Sequence, residues 1–256
     1  MSVNSQEQSA RRHILTELGF ALTRVGEELH GHATVTPEMC VPGTSHLRTS
    51  VLVVWADIIA GHLAAHVIAP RAPVTLELDV HLFRRAPGSG VVRAMGRTVK
   101  AGRSVFVAEI EFVTESGEPV AVCGASFMAQ PDTSKRLPVL SETMPVTGRL
   151  SVPLAERAGC VRREPGVAVL PRSEDGTNAS NTVNGGLIAL ATEEAVLSLV
   201  PGDTLSSLGL RYLAAVRTGP AVATARIRGG VAQVELRDAG NDNRLAVTAT
   251  ARLFGG

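Results

Sequence analysis

The hydrophobic positions of this chain follow two periods, one typical of helices and one of strands, and the periods change in the same order twice. In the first half, helical spacing predicts a helix over residues 10–25, and looser alternation predicts a strand over residues 27–38. Residues 50–67 are apolar nearly all round, which predicts a long buried helix. Alternation then predicts four consecutive strands in an antiparallel meander, at residues 72–84, 91–100, 104–113 and 120–129.

The second half repeats this order after a stretch without a sustained period, residues 131–152, which we interpret as a linker. A short helix is predicted at residues 154–161, a strand at 166–171 and an apolar helix at 187–200. Four strands follow, at residues 206–214, 221–228, 231–237 and 245–254. The predicted class is α+β, with two similar domains at residues 9–130 and 153–256.

The two halves also align residue by residue. Placing Arg48 on Asn184 without gaps puts Thr49-Ser50 on Gly185-Gly186 and Asp57 on Glu193. After a shorter loop in the second half, residues 76–82 fall on residues 207–213, and Ser206 becomes the counterpart of Thr75. A repeat of about half the chain length indicates a duplicated domain and not a solenoid.

Composition limits the classes of protein to which this chain could belong. Of the 256 residues, 45% are hydrophobic and only 3% aromatic, so we expect a core of Val, Leu, Ile and Ala. A formal net charge of +1 argues against a nucleic-acid partner or an anionic membrane surface. The three cysteines have no metal-ligand spacing, which favours reduced thiols in a cytoplasmic protein. We expect neither a signal peptide nor an apolar run of the roughly 20 residues that span a membrane.

The stretch around Gly185-Gly186 has the residues of a reactive site. The glycines lie where a polar loop becomes a helix, so backbone N–H groups can approach a ligand closely and the helix dipole favours negative charge. Asp57 and Glu193 are acids within apolar helices, where burial is costly. The alternatives stay open: glycines that serve packing, acids that are structural, and an ordinary turn residue at Asn178.

A long helix wrapped by a curved antiparallel sheet, with Gly-Gly at its start and an acid within it, resembles the hotdog fold. The second half resembles the acyl-CoA thioesterases of the phenylacetate-pathway type, which have Asn, His-Gly-Gly and Asp in order. This sequence has Asn178, then Asn184-Gly185-Gly186 six residues later, then Glu193 nine residues beyond Asn184. In the first half Asp57 matches the acid, but Arg48-Thr49-Ser50 replaces His-Gly-Gly, and Pro42 replaces the Asn.

The resemblance implies that the tandem hotdogs pair within the chain and share their sites. One site would combine Asn178, Asn184 and Gly185 with Asp57 as general base or nucleophile, the Gly185 N–H donating to the oxyanion. Thr75 would help to orient the attacking water. A second, degenerate site would combine Glu193 with the Arg48-Thr49 segment.

The resemblance also implies hydrolysis of an acyl-CoA or acyl-carrier thioester, without a cofactor beyond the coenzyme A of the substrate. Gly186 would contact the substrate, and Arg97, Lys100 and Arg103 could meet coenzyme A phosphates, although a solvated basic turn explains them as well. A homodimer of such chains is possible. Two other functions are considered: a non-catalytic acyl-CoA-binding protein, which Asn in place of His at position 184 favours, and a dehydratase or hydratase, which would need a catalytic His paired with an acid.

Overall fold

The computed structural model describes residues 13–131, 141, 143–178 and 180–255. These residues form one antiparallel sheet in the order β7-β1-β2-β4-β5-β6-β3-β10-β13-β12-β11-β9-β8. Its strands are β1 Ala21–Val25, β2 Glu28–Thr34, β3 Pro73–Leu82, β4 Val91–Ala101, β5 Val105–Thr114, β6 Pro119–Ala129, β7 Thr143–Met144, β8 Val161–Glu164, β9 Val167–Leu170, β10 Leu205–Tyr212, β11 Ala221–Arg228, β12 Val231–Asp238 and β13 Arg244–Leu253. The α-helices are α1 Thr49–Ile68, α2 Leu154–Arg157 and α3 Gly185–Leu197.

The first half of the sheet packs on α1. Most of α1 is buried because its residues are apolar on every side, and the helix ends just before Pro70, which cannot continue it. At Gly96 on β4 the sheet approaches the helix so closely that a Cβ would lie 2.1 Å from Ile59 Cγ2. By length and hydropathy α1 could span a bilayer, contrary to our expectation, but 61% of its most apolar window is buried inside the protein, as in a core helix.

The second half repeats the arrangement around α3. The strand order β9-β11-β12-β13-β10 corresponds to β2-β4-β5-β6-β3, and the two half-sheets join where β3 and β10 pair antiparallel, with Asp79 opposite Gly209. The helices also meet directly: a Cβ on Gly186 would lie 2.4 Å from Val54 Cγ2. The start of α3 therefore lies against the middle of α1, one turn before Asp57.

Two predicted helices are wrong in the described residues. In place of a helix over residues 10–25, a short 3-10 helix at Ile14–Leu18 ends at Gly19 with φ of 61°, and β1 follows. Residues 10–12 lie outside the described part. The predicted helix 154–161 is only the four residues of α2, followed after a turn by β8. In both places pairing with a neighbouring strand overrides local helical spacing.

The predicted four-stranded meander is correct only for β4, β5 and β6, because β3 pairs with β6 and with β10. The predicted register between the halves is also wrong by one residue. β3 has a bulge at Leu76 and β10 has one at Ser206, so these two residues correspond. The structural counterpart of Thr75 is therefore Leu205, not Ser206.

Residues 132–140 and 142 of the predicted linker lie outside the described residues. Beyond them, Thr143–Met144 adds the edge strand β7 to β1, and the Leu150 side chain is buried. This end of the linker therefore packs on the first half.

Candidate active site

Helix α3 begins at Gly185 because Asn184 caps it. The Asn184 Oδ1 accepts a hydrogen bond of 2.8 Å from the Gly186 N–H, which satisfies one donor of the first helical turn. The Gly185 N–H donates to no acceptor in the described part of the chain. The first turn of α3 thus offers one unengaged backbone donor at the positive end of the helix dipole.

Tyr212, which the sequence reasoning missed, packs on this first turn. Its hydroxyl donates a hydrogen bond of 3.0 Å to the Gly185 carbonyl oxygen, and a Cβ on Gly185 would lie 3.3 Å from the same hydroxyl. Tyr212 is the only tyrosine of the sequence. The register error made Tyr212 the counterpart of the outward-facing His81 of the first half. The bulges instead make it the counterpart of Leu82, on the helix-facing side.

Asp57 lies in the middle of α1, and its charge acts on Tyr212, which contacts this helix start. The Thr75 hydroxyl on β3 donates a hydrogen bond of 3.2 Å to Asp57 Oδ1, as the sequence comparison predicted for a hydroxyl on the acid's side. Burial raises the pKa of Asp57 to about 6, although the Thr75 hydrogen bond acts to lower it. Burial and then the Asp57 charge raise the pKa of Tyr212 well above its usual value, so the acid and the phenol share one environment.

Asn178 shapes the loop that leads into α3. Its side-chain Oδ1 accepts hydrogen bonds from the Ser180 N–H at 2.9 Å, the Thr182 N–H at 3.3 Å and the Thr182 hydroxyl at 3.1 Å. These contacts form an Asx-type turn, the plain role that the sequence left open. Only the Asn178 amide NH₂ is left to face a substrate.

Residues of the first half of the chain also help to hold this loop in place. The His13 ring donates from Nε2 to the Thr177 carbonyl oxygen at 2.9 Å, since its Nδ1 accepts from the Leu15 N–H. Arg157 bridges Glu17 and Asp175, with nitrogen-to-oxygen distances of 2.7 and 2.8 Å. The position of α3 relative to α1 is thereby fixed outside the sheet as well.

At the equivalent place in the other half, Glu193 meets the first turn of α1. Glu193 Oε1 accepts from the Thr49 N–H at 2.8 Å and the Ser50 N–H at 3.3 Å, and Oε2 accepts from the Ser50 hydroxyl at 2.6 Å. Burial raises the pKa of Glu193, against the opposing effect of Arg48. Both free N–H groups of this helix start are used by the protein's own carboxylate.

Arg48 fills the position of Asn184 at this second place. Its guanidinium is fully buried and its Nη1 contacts Glu193 at 3.3 Å and Glu194 at 2.5 Å. Burial acts to lower the pKa of Arg48, but the two carboxylates raise it above its usual value. Arg162 adds a second cation on Glu194 at 2.7 Å. A buried ion network therefore lies at the helix start of this second place.

The second place has no strand hydroxyl equivalent to that of Thr75. Because Leu205 corresponds to Thr75, the strand next to Glu193 has an apolar side chain there, and the Leu205 carbonyl accepts from the Thr49 hydroxyl at 3.0 Å. Ser206, the expected counterpart, is the bulge residue.

The three basic residues that were assigned to substrate phosphates lie at the hairpin between β4 and β5. Arg97 is on the sheet face turned away from α1 and pairs with Glu109 at 2.6 Å. Lys100 and Arg103 are exposed. Strand pairing places the end of β4 in one row with Thr75, through Phe106 on β5 and Phe127 on β6, so this hairpin lies at the same end of the sheet as the site.

A depression of about 350 Å³ lies elsewhere, on the outer face of β11, β12 and β13. Its exposed lining residues include Thr224, Arg226, Glu235 and Thr250. It is turned away from α3 and has no part in the arrangement around Asp57.

Comparison with known proteins indicates which family the chain resembles. The model of the Thioesterase superfamily matches residues 46–121, which include Asp57 and Thr75. The chain resembles hotdog-fold thioesterases, as its sequence predicted. No curated protein matches the chain in sequence.

Among solved structures, the acyl-ACP thioesterase from Bacteroides thetaiotaomicron is 14% identical, with a TM-score of 0.63 over 89% of this chain and 98% of that one. The 12:0-ACP thioesterase from Umbellularia californica is 11% identical, with a TM-score of 0.65 over 90% of this chain and 98% of that one. At these identities the likeness shows the fold of hotdog thioesterases, and it extends through both helix-and-sheet halves.

Proposed function

We propose that this chain is a thioesterase that hydrolyses an acyl thioester where the start of α3 meets Asp57. The observation that carries the proposal is the pairing of Asp57, whose pKa is raised to about 6, with a helix start that has an unengaged N–H at Gly185. The repeated strand order supports two tandem hotdog domains, residues 9–130 and 153–256, that pair as two separate hotdogs would.

The Gly185 N–H is the oxyanion donor. A thioester carbonyl oxygen placed at the start of α3 would accept from Gly185 and gain from the helix dipole as negative charge develops on it. Because the Asn184 Oδ1 is committed to Gly186, its amide NH₂ is oriented away from the cap and can donate to the same substrate. Gly186 contributes by allowing the close approach of α3 to Val54 of α1, one turn before Asp57.

Asp57 supplies the base or the nucleophile. As a base it takes a proton from water while the water oxygen attacks the carbonyl carbon; the carbon–sulfur bond then breaks and the thiolate leaves and is protonated. As a nucleophile its carboxylate attacks, thiolate leaves, and water hydrolyses the resulting anhydride. Both routes need ionised Asp57, which Thr75 holds through one oxygen. Neither route needs a cofactor beyond the coenzyme A that a substrate could contain.

The leaving thiol is coenzyme A or an acyl carrier. Two structural neighbours are named as thioesterases of acyl-ACP, which makes a carrier thioester a natural substrate to test here. Lys100 and Arg103, at the same end of the sheet as Thr75, are suited to a phosphate of either thiol, and Arg97 is less available because Glu109 pairs with it. We further propose a cytoplasmic protein, with a homodimer as a possible assembly.

The direct experiment measures thiol release from a panel of acyl-CoA and acyl-carrier substrates of different chain length. The proposal predicts turnover whose rate rises with pH through about 6, because Asp57 must lose its proton to act. Binding of acyl thioesters without release of thiol at any pH would instead support the non-catalytic acyl-binding function. Enoyl and 3-hydroxyacyl substrates in the same panel test for a dehydratase by their change in absorbance.

A further inference from the structure

The peptide unit between Gly185 and Gly186 is held at both ends by side chains. Its N–H donates to the Asn184 Oδ1 at 2.8 Å, and its carbonyl accepts from the Tyr212 hydroxyl at 3.0 Å. Asn184 comes from the residue just before the helix, whereas Tyr212 comes from β10, the strand that pairs with the other half. This peptide is therefore fixed relative to the sheet and not only to its own helix.

The neighbouring peptide, between Asn184 and Gly185, has the N–H that would bind the oxyanion. Its carbonyl, on Asn184, accepts from the Leu187 and Ile188 N–H groups at 3.1 Å each, so the helix itself holds one side of this peptide. On the other side two glycines in succession leave the backbone with few steric restraints. The ring of Tyr212 also covers Gly185, since a Cβ there would meet the phenol carbons at 3.4 Å. The direction of the Gly185 N–H thus depends on these helical hydrogen bonds and also on the adjacent peptide that Tyr212 holds.

We infer that Tyr212 is a positioning residue of the thioesterase site, which aims the Gly185 N–H at the developing oxyanion through its hydrogen bond to the Gly185 carbonyl. The inference rests on the proposed function. Tyr212 stays neutral and does not act as a base, because burial and the Asp57 charge oppose its ionisation. As a rigid link from β10 to α3, it couples the donor in the second half to the strand beside the acid of the first half.

The test removes the hydroxyl alone, with Tyr212→Phe, and compares it with Thr192→Val. Thr192 is a buried α3 residue whose hydroxyl donates to the Ile188 carbonyl within the helix at 2.9 Å, so its loss is a matched deletion away from the first turn. Each variant is assayed for kcat, KM and thermal unfolding. Protein labelled with ¹⁵N-glycine reports the Gly185 amide, which is assigned by its disappearance in Gly185→Ala.

We expect Tyr212→Phe to lower kcat on the order of 10–100-fold with little change in KM, because a small misplacement of a catalytic donor has effects of this size. Its Gly185 amide signal should shift, and that of Thr192→Val should not. An unchanged kcat in Tyr212→Phe would overturn the inference. A lowered kcat with an unmoved Gly185 amide would overturn it too, since Tyr212 would then act by another route.

The two readouts separate this inference from the proposed function. If the wild-type chain releases no thiol from any substrate, the thioesterase proposal fails by that assay alone. The Gly185 amide still reports whether the Tyr212 hydroxyl orients the start of α3, and an unmoved signal would then overturn the positioning role by itself.

Discussion

The two helix starts of this chain have the same layout but differ in what satisfies the acid. At α1, Glu193 accepts two backbone N–H groups, a serine hydroxyl and a buried arginine, so its oxygens are fully occupied by the protein. At α3, Asp57 accepts from the Thr75 hydroxyl, and the Gly185 N–H is left without an acceptor among the described residues. Glu193 has one methylene more than Asp57, and the α1 start that it meets has Thr49-Ser50 where the α3 start has Gly185-Gly186.

This difference indicates how two copies of one site can take different roles. A carboxylate saturated by internal donors holds the two halves together and has no lone pair to offer a substrate. Burial raises the pKa of both carboxylates, but only the one with a single hydroxyl partner keeps free acceptor capacity, which general-base or nucleophilic chemistry needs. We therefore propose a structural role for the Glu193 side and a reactive role for the Asp57 side.

Substitution of Arg48 should have the largest effect on stability. Substitution of Asn184, at the equivalent position of the other half, serves as the comparison. Arg48→Met leaves Glu193 and Glu194 buried without their shared cation, and we expect the free energy of unfolding to fall by about 3–5 kcal/mol. Asn184→Ala removes only a helix cap, which costs about 1 kcal/mol. Urea unfolding of both variants measures the difference. Equal losses would contradict the structural role of the ion network.

A smaller effect, opposite in sign, is expected for Asp57→Asn. Because folding raises the pKa of Asp57 from 3.8 to about 6, its ionisation costs stability that is absent below pH 3.8 and complete above about pH 6. Asparagine removes that cost, so the variant should be more stable than wild type at pH 8 by up to about 3 kcal/mol.

The control for Asp57→Asn is the same comparison at pH 4. Most of the gain in stability should vanish there, because position 57 is then nearly neutral in the folded wild type as well as in the variant. A gain that is independent of pH would show that packing, not ionisation, is responsible. A loss of stability at pH 8 would show that the Asp57 charge is favourably solvated.

The sequence predicted the parts of the site that depend on local pattern. The start of α3 at Gly185, the long buried α1 with Asp57 in it, and a hydroxyl at Thr75 beside that acid follow from glycine placement, apolar runs and strand alternation. These features depend on short-range patterns. The alignment of the two halves also has the correct register over the helices, since Arg48 and Asn184 both immediately precede their helices.

The parts that were missed depend on long-range pairing. A bulge in each of β3 and β10 shifts the register by one residue, and a shift by one moves a side chain to the other face of a sheet. For that reason Tyr212 was overlooked and Ser206 was matched with Thr75. The contacts of Arg48 with Glu193 and Glu194 join residues more than 140 positions apart and leave no local pattern in the sequence.

The most direct test of the central claim compares Asp57→Asn with Glu193→Gln in kcat per folded molecule, with folding checked by circular dichroism. We predict that Asp57→Asn lowers kcat by about 10²–10⁴-fold, as the loss of a general base or nucleophile does, and that Glu193→Gln stays within about threefold of wild type. Equal losses in the two variants, or a larger loss in Glu193→Gln, would contradict the claim that only the Asp57 side is reactive.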